Sequence, residues 1–500
     1  MPSSHKNHKT KLLLIAIFLL IALVASAAMF NVQAYNLPEM GSSTEMAISQ
    51  QDEKLLGEYI YQDLATQIPI VQNAFLGDYI QSLGDKLLKN SQTSYDKFHF
   101  FLINSPEINA FALPGGYIGI NKGLITAAES ESEVAAVIAH EISHVTQRHI
   151  ARSFEKQSQM QLPMMAGIVA GALLAAYNPE LGQSVIMGSM AAGNQSLINY
   201  TRSNEAEADR IGIMTLANSG YSPYSMAQMF GKLERYAYAD KEFYPEYLRT
   251  HPVNGNRIAD ARSRADKITS KTDPVTIFND FELVKNILLT DSSLNLAKII
   301  DNNQAIIAAQ KDSKTNTDQE NLYKFNYGYA LIKNHDYKKS HIIFAELHTA
   351  YPTNNIIVSL LAESLKNNAE AAKVLDLQLA RDKNNIPLSI QYSKNIMSLK
   401  QPQKAIEVLK NITKKHNIYT PEVDLLLAEN YNQIGQKWHA SMCYADYSIK
   451  KGDLQAALMQ LKASQKYDNL NDYQQKMITY RIKDLEQKYQ NRKAKLKQWL

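Results

Sequence analysis

Cysteine is nearly missing from this chain: Cys443 is the one thiol among 500 residues. A single thiol cannot build a disulfide framework, a zinc ribbon or a zinc finger. Net charge is also scarce. Lysine and arginine number 53 against 49 acids, a formal +4, and Lys6, Lys9 and Lys11 of the leader account for three of that, leaving +1. No broad positive field exists to gather nucleic acid, so no nucleic-acid partner is expected. Glycine runs out halfway: 17 of the 20 precede residue 260, and only Gly328, Gly435 and Gly452 follow. The first half therefore needs tight turns and close backbone approach, while the second reads as helices joined by short polar turns. With 45% hydrophobic and 20% charged residues, the chain can build cores for two to four domains and is not a disordered tail.

The first acid is Glu39, and residues 1–11 are polar and basic. Residues 12–24 are continuously apolar, and the small-residue triplets Ala25-Ser26-Ala27 and Val32-Gln33-Ala34 follow. This is the order of a secretory signal peptide, with removal expected after Ala27 or Ala34. The second is favoured because Tyr35 opens a polar stretch. An uncleaved anchor is the rival, since residues 12–30 are long enough to span a bilayer. No cysteine stands at the end of the apolar run, which excludes a lipoprotein. The expected division is a signal peptide at 1–34, a catalytic domain at 35–270 and a helical domain at 275–500. The polar run Thr269-Ser270-Lys271-Thr272-Asp273-Pro274 lies between the last two.

Beyond residue 320 the chain repeats. Gly328, Leu331, Ser340, Phe344 and Pro352 fall at offsets 8, 11, 20, 24 and 32 of a 34-residue frame, which matches the tetratricopeptide pattern. The small residue recurs as Ala372, Ala405 and Ala440, where two antiparallel helices need close approach. Pro402, Gly435 and Gly452-Asp453 mark turns between helices. Such repeats stack into a curved solenoid that binds protein partners; an irregular helical bundle is the alternative.

His140-Glu141-Ile142-Ser143-His144 has the H-E-x-x-H spacing. Ser130 and Glu133 suggest a capping box, so a helix is expected from about residue 131 past His149. On it, His140 and His144 share a face and can offer two nitrogens to one metal ion, with Glu141 beside them to handle a proton. His149 and Arg148 fall off that register and are read as anchoring the helix end. A third ligand must come from elsewhere. Glu205 and Asp209 are again four apart on one expected helix, whereas Glu207 faces away from them.

Thr201-Arg202-x-x-Glu205-x-x-Ala208-Asp209 resembles the [S/T]-R-x-x-E-x-x-A-D element of the HtpX-like zinc metallopeptidases, a gluzincin family. The run from Asn109 to Ile118 (N-A-F-A-L-P-G-G-Y-I) is similar to that family's element upstream of the metal helix, and Thr250-His251-Pro252 to its third element. Order and spacing agree across about residues 50–265. The resemblance implies an α+β, mainly helical protein: a zincin-like domain with a small sheet, then an all-α tetratricopeptide solenoid. It also implies one Zn2+ per subunit held by His140, His144 and Glu205, with Asp209 supporting a ligand and Glu141 as the catalytic base. His251 and Arg257 are the candidates for stabilising an oxyanion. By the same resemblance, His251 fills the open metal position in a resting, self-inhibited state.

Residues 98–103 and 111–120 read as strands, the second broken by Leu113-Pro114-Gly115-Gly116. In the family an edge strand here, at Ala110, Phe111 and Ala112, receives substrate by backbone pairing. Residues 162–177 form the most apolar stretch after the leader. They read as a buried helix of a hairpin covering the active site, or as a surface loop touching a membrane or nascent barrel strands. A mobile cover is favoured.

A signal peptide in front and repeats behind resemble the exported members of the family. These imply a periplasmic endopeptidase that degrades stalled or misfolded outer-membrane β-barrel proteins. Its partners would be those clients, the β-barrel assembly machinery and the lipopolysaccharide translocon barrel. An assembly chaperone with rare proteolysis is the alternative.

Overall fold

Among the described residues, capping side chains start the first two helices. Ser49 accepts the Asp52 amide at the head of α1 (Gln50–Gln67), and Asn73 accepts those of Phe75 and Leu76 at the head of α2 (Ala74–Lys89). Leu76, Ile80, Leu83 and Leu87 form one stripe of α2 and are buried. The computed structural model describes residues 48–91, 97–175, 179–239, 245–269, 276–310, 317–415, 420–468 and 470–499. The leader at 1–34 and residues 270–274 of the polar break lie outside them.

Three strands follow, β1 (His99–Ile103), β2 (Ala110–Leu113) and β3 (Tyr117–Asn121), in the order β1-β3-β2. β3 runs parallel to β1 and antiparallel to β2, with Ala112 opposite Ile118. These are the two expected strand regions, and Pro114–Gly116 is the interruption, a single tight turn. Gly115 adopts φ +73° there, and a Cβ on it would stand 2.5 Å from the Cα of Lys54, because α1 lies directly on the turn. β2 is an edge of this sheet.

Next come α3 (Lys122–Ala127), α4 (Glu131–Thr146), α5 (His149–Ala175), α6 (Pro179–Asn218), α7 (Ser225–Ala239), α8 (Tyr247–Thr250) and α9 (Gly255–Ala265). α4 is the central helix of the layer, with Val134 through Ile142 all buried. α5 and α6 pack on each other as a hairpin. The apolar stretch at 162–177 is helix as far as Ala175, not a loop. Its described side chains are not enclosed: Met165 and Val169 are exposed, as are Leu181, Met187, Met190 and Ile198 on α6. Two paired helices bury only the faces they turn to each other. Among the described residues no helix is long and apolar enough to cross a membrane.

Among the described residues the remainder holds helices and no strand. After α10 (Asp280–Asp291) and α11 (Leu296–Gln310) come five successive pairs. These are α12 (Thr317–Lys333) with α13 (Tyr337–Ala350), α14 (Asn355–Leu365) with α15 (Asn368–Arg381), and α16 (Ile386–Ser398) with α17 (Pro402–Lys415). α18 (Pro421–Gln433) with α19 (Lys437–Lys450), and α20 (Leu454–Ser464) with α21 (Asp472–Trp499), complete them. Ser340, Ala372, Ala405 and Ala440 each sit buried on the second helix of a pair. His335, Lys366, Lys400, Gly435 and Gly452 take left-handed backbone at the turns between or within pairs. A mixed α+β region followed by a tetratricopeptide-like solenoid is thus the architecture expected from the sequence.

The apolar core does not stop at the junction. One cluster runs from α2, the sheet, α4 and α7 into Phe281 and Val284 of α10, Phe325 of α12, Phe344 of α13 and Leu361 of α14. Farther along, the Gln62 side chain of α1 donates to the Ile449 carbonyl at 3.3 Å. A cavity of about 1040 Å³ separates α1, α2 and β1 from the later repeats, lined by Tyr61, Asp78, Gln81, His99, Asn385 and Lys451 among others.

Candidate metal centre

The site grows from α4. Ser130 has the extended backbone of an N-cap, but its hydroxyl makes no capping bond. Glu133 instead accepts the Glu129 amide at 2.7 Å and pairs with the buried Lys232 of α7 at 2.8 Å. Lys232 and its buried setting orient this carboxylate toward the amide one residue before the N-cap, so the expected capping box does not form. The helix also ends sooner than expected, at Thr146. Arg148 turns left-handed (φ +53°), held by Glu53 at 2.9 Å and by the Ile48 carbonyl at 2.6 Å. The chain restarts as α5 at His149, whose ring returns to within 4.8 Å of the His144 ring.

α6 supplies the acids. It can lie close to α4 because of Gly212: a Cβ there would come 3.2 Å from the amide nitrogen of His140. One and two turns before it, Asp209 and Glu205 point at the histidines. Asp209 Oδ1 lies 2.9 Å from His140 Nδ1. His140 Nε2 and His144 Nε2 face each other across 2.9 Å, and the Glu205 carboxylate lies 3.4 Å from each. His251, just after α8, brings Nδ1 to 3.0 Å from Glu205 and 3.4 Å from His140 Nε2. Donor atoms of His140, His144, Glu205 and His251 all lie within 4.8 Å of one another.

This cluster is capable of coordinating a metal ion. Tetrahedral ligands at about 2.0–2.1 Å stand roughly 3.3–3.5 Å apart, and the separations here, 2.9–3.4 Å, are of that size. The donor set of imidazole and carboxylate suits a borderline ion such as zinc. Glu141 Oε1 is fully buried without a hydrogen-bond partner, an orphan that a reacting group could satisfy.

Electrostatics agree in part: burial disfavours a charge on His140, yet Asp209 and Glu205 push its imidazole up to about 10, a proton that a metal ion would have to displace. Burial opposes ionisation of Glu205, but His140, His144 and His251 hold its carboxyl well below the usual range. Asp209 is likewise lowered against burial, by His140 and Arg257. Burial pushes the Glu141 carboxyl up, against the pull of His251 and His140. Burial drives the imidazole of His144 down to about 3, so it is neutral, as a ligand must be.

Arg257 reaches the site from α9, where Asn254 caps the helix by accepting the Arg257 amide. Its guanidinium pairs with both oxygens of Asp209 at 2.8 Å, with Glu205 at 2.9 Å and with the Pro252 carbonyl at 2.8 Å. It also lies over the Phe230 ring at 4.7 Å. His251 stacks on Tyr247 and its Nε2 stands 3.6 Å from Glu141. At the sheet, the Ala112 backbone favours the charged form of the Glu141 carboxyl, so the edge strand β2 (Ala110, Phe111, Ala112) borders the cluster. A cavity of about 260 Å³ opens beside His144 and Glu205, walled by Ile150, Phe154, Thr201 and Asn204.

Two residues set aside in the sequence also reach the site. His149 Nδ1 lies 2.9 Å from His144 Nδ1, and its Nε2 lies 3.1 Å from Glu207. A signal existed: His149 follows the second motif histidine by five residues and Glu207 follows Glu205 by two, but both are off a straight helix's register. The break at Arg148 turns His149 back toward His144, and His149 in turn meets Glu207 on α6.

A helix carrying H-E-x-x-H beneath a small sheet, with the carboxylates of a second helix converging on its histidines, defines a metallopeptidase. The model of peptidase family M48 matches residues 76–265. The beta-barrel assembly-enhancing protease of Escherichia coli (strain K12) is 31% identical over 92% of this chain and 93% of its own. That of Yersinia pestis is 31% identical over 75% and 76%. A mitochondrial metalloendopeptidase of Arabidopsis thaliana is 30% identical, over 35% and 36%. The chain belongs to peptidase family M48.

Proposed function

We propose that this chain is a periplasmic zinc endopeptidase that serves assembly and quality control of outer-membrane β-barrel proteins. The observation that carries the peptidase is the convergence of His140 Nε2, His144 Nε2 and the Glu205 carboxylate beside a buried Glu141. The names of the full-length relatives support the setting. The clients would be stalled or misfolded barrels, and the partners the barrel assembly machinery and the lipopolysaccharide translocon barrel. The leader sequence supports export. The exposed apolar side chains of the α5–α6 hairpin suit contact with a membrane or an unfolded chain.

His140, His144 and Glu205 would hold the zinc. Bound there, zinc supplies a Lewis acid for the scissile carbonyl and acidifies water. Glu141 accepts the proton of the attacking water and returns it to the leaving amine; its raised proton affinity suits both halves of that transfer. Asp209 fixes the ring of His140 from behind, and Arg257 fixes Asp209 and Glu205. Because the Arg257 donors already face those groups and Pro252, His251 is the better placed oxyanion donor. At rest its imidazole, against Glu205 and His140, occupies the remaining side of the cluster. The edge of β2 takes an extended substrate through backbone pairing, which asks little of its side chains.

The test is a set of single changes in the exported protein. Glu141→Gln should keep zinc and lose cleavage about 10²–10⁴-fold, whereas changing His140, His144 or Glu205 should lose the metal. His251→Ala should raise proteolysis if the resting block limits the rate, and lower it if the oxyanion contact does. Zinc retained in all three ligand variants would defeat the assignment, and unchanged activity in His251→Ala would speak against both roles. Barrel assembly that persists in Glu141→Gln would mark a chaperone function independent of cleavage.

A further inference from the structure

His144 is held from two sides. Its Nε2 faces His140 and Glu205; its Nδ1 faces away, 2.9 Å from the Nδ1 of His149. His149 Nε2 lies 3.1 Å from Glu207 Oε2, and that oxygen also accepts from Arg152 Nη2 at 2.7 Å. Arg152 reaches Asn204 as well, at 3.3 Å. His149 and Arg152 stand on the first turn of α5, and Asn204 and Glu207 on α6, so the base of the hairpin supplies the whole chain.

Only one proton arrangement satisfies it. With its Nε2 lone pair directed at the cluster, His144 carries its proton on Nδ1 and donates it. His149 must then accept at Nδ1 and donate from Nε2 to the Glu207 carboxylate. That requires His149 to be neutral, with its one ring proton on Nε2. Arg152 in turn pairs with Glu207 and holds it in place. The ring of His140 is oriented by Asp209, the usual carboxylate; that of His144 has a second imidazole in the same position.

We infer that His149 is a positioning residue for the metal centre: with Glu207 and Arg152 it fixes the tautomer and ring plane of His144. The inference rests on the metal-site reading above. It ties the geometry of one ligand to the hairpin, because the acceptor of His144 sits on α5 and the acceptor of His149 on α6.

The experiment is zinc affinity of the full chain, measured by competition with a chromogenic chelator, alongside melting of the metal-free protein. Removal of an outer partner typically weakens metal binding 10–100-fold. His149→Leu should therefore bind zinc about 10–100-fold more weakly. His149→Asn, which keeps an acceptor near the Nδ1 position, should recover most of the loss. Glu207→Gln, a half-exposed site where folding is not at stake, should give a smaller loss in the same direction. Wild-type affinity in His149→Leu overturns the inference, as does equal weakening in the Leu and Asn variants, which would indicate packing alone. Failure of the unaltered protein to bind zinc would instead overturn the metal-site reading itself.

Discussion

Beneath the sheet, His140, Glu141, Glu205 and Asp209 are buried together, each less than 10% exposed. At similar depth in the solenoid the recurring residues are Ser340, Ala372, Ala405 and Ala440. The first region takes several ionisable groups out of water and compensates each with another; the second removes side-chain bulk so that helices meet. Buried charges are tolerated only as a mutually satisfied set, so the metal region depends on geometry over many partners. Small buried residues tolerate near-repeats of one pattern, which is why the solenoid's frame survives loose sequence.

The difference extends to carboxylates. Glu205 and Asp209 are held ionised because histidines and Arg257 surround them. Asp78, on α2 facing the later repeats, is pushed up to about 6 by burial and by Asp382 and Asp85. An acid meeting cations and an acid meeting acids shift in opposite directions.

The largest test concerns the shared core. Phe344 is fully buried in the cluster joining both regions and meets Phe325 edge-on. Phe344→Ala should destabilise by about 3–5 kcal/mol in denaturant titration. Its unfolding, followed by far-UV signal and by zinc release, should move as one transition. An earlier, separate loss of helix would show that the solenoid unfolds alone. A smaller effect should come from Asp78→Asn. Because the folded-state value is raised, the native protein keeps a proton that the unfolded chain has lost between about pH 4 and 6. Stability therefore falls as pH rises through that window. The variant should gain about 1–3 kcal/mol at pH 8 and little at pH 4; equal urea midpoints for both proteins at pH 8 would contradict this. Smallest is Asp453→Ala, which removes the bond to the Ala456 amide at the head of α20. It should cost about 1 kcal/mol, read as a shift in melting temperature with zinc affinity unchanged.

Much was legible because it is local. The four-residue spacing of His140 with His144 and of Glu205 with Asp209 needs only a helix to place each pair on one face. The break at Pro114–Gly116 and the turns at Gly435 and Gly452 follow from residues that favour such backbone. The left-handed turns at His335, Lys366 and Lys400 carry no such mark. The expected capping box did not form: Lys232, distant in sequence, engages Glu133, which accepts the Glu129 amide instead. The polar break at 269–274 reads as a boundary, yet apolar residues on both sides of it join one core.

Periodicity and composition by themselves determined which segments are helix or strand, which faces are apolar, and which pairs of ligating groups share a turn, since all of these depend on neighbours a few residues away. Tertiary structure alone decided where α4 stops, which imidazole stands behind His144, and which acid Arg257 grips. Those outcomes depend on charges and backbone groups brought together from Ile48, Glu53, Glu207 and Asp209, and no local pattern in the chain records a contact that only burial makes favourable.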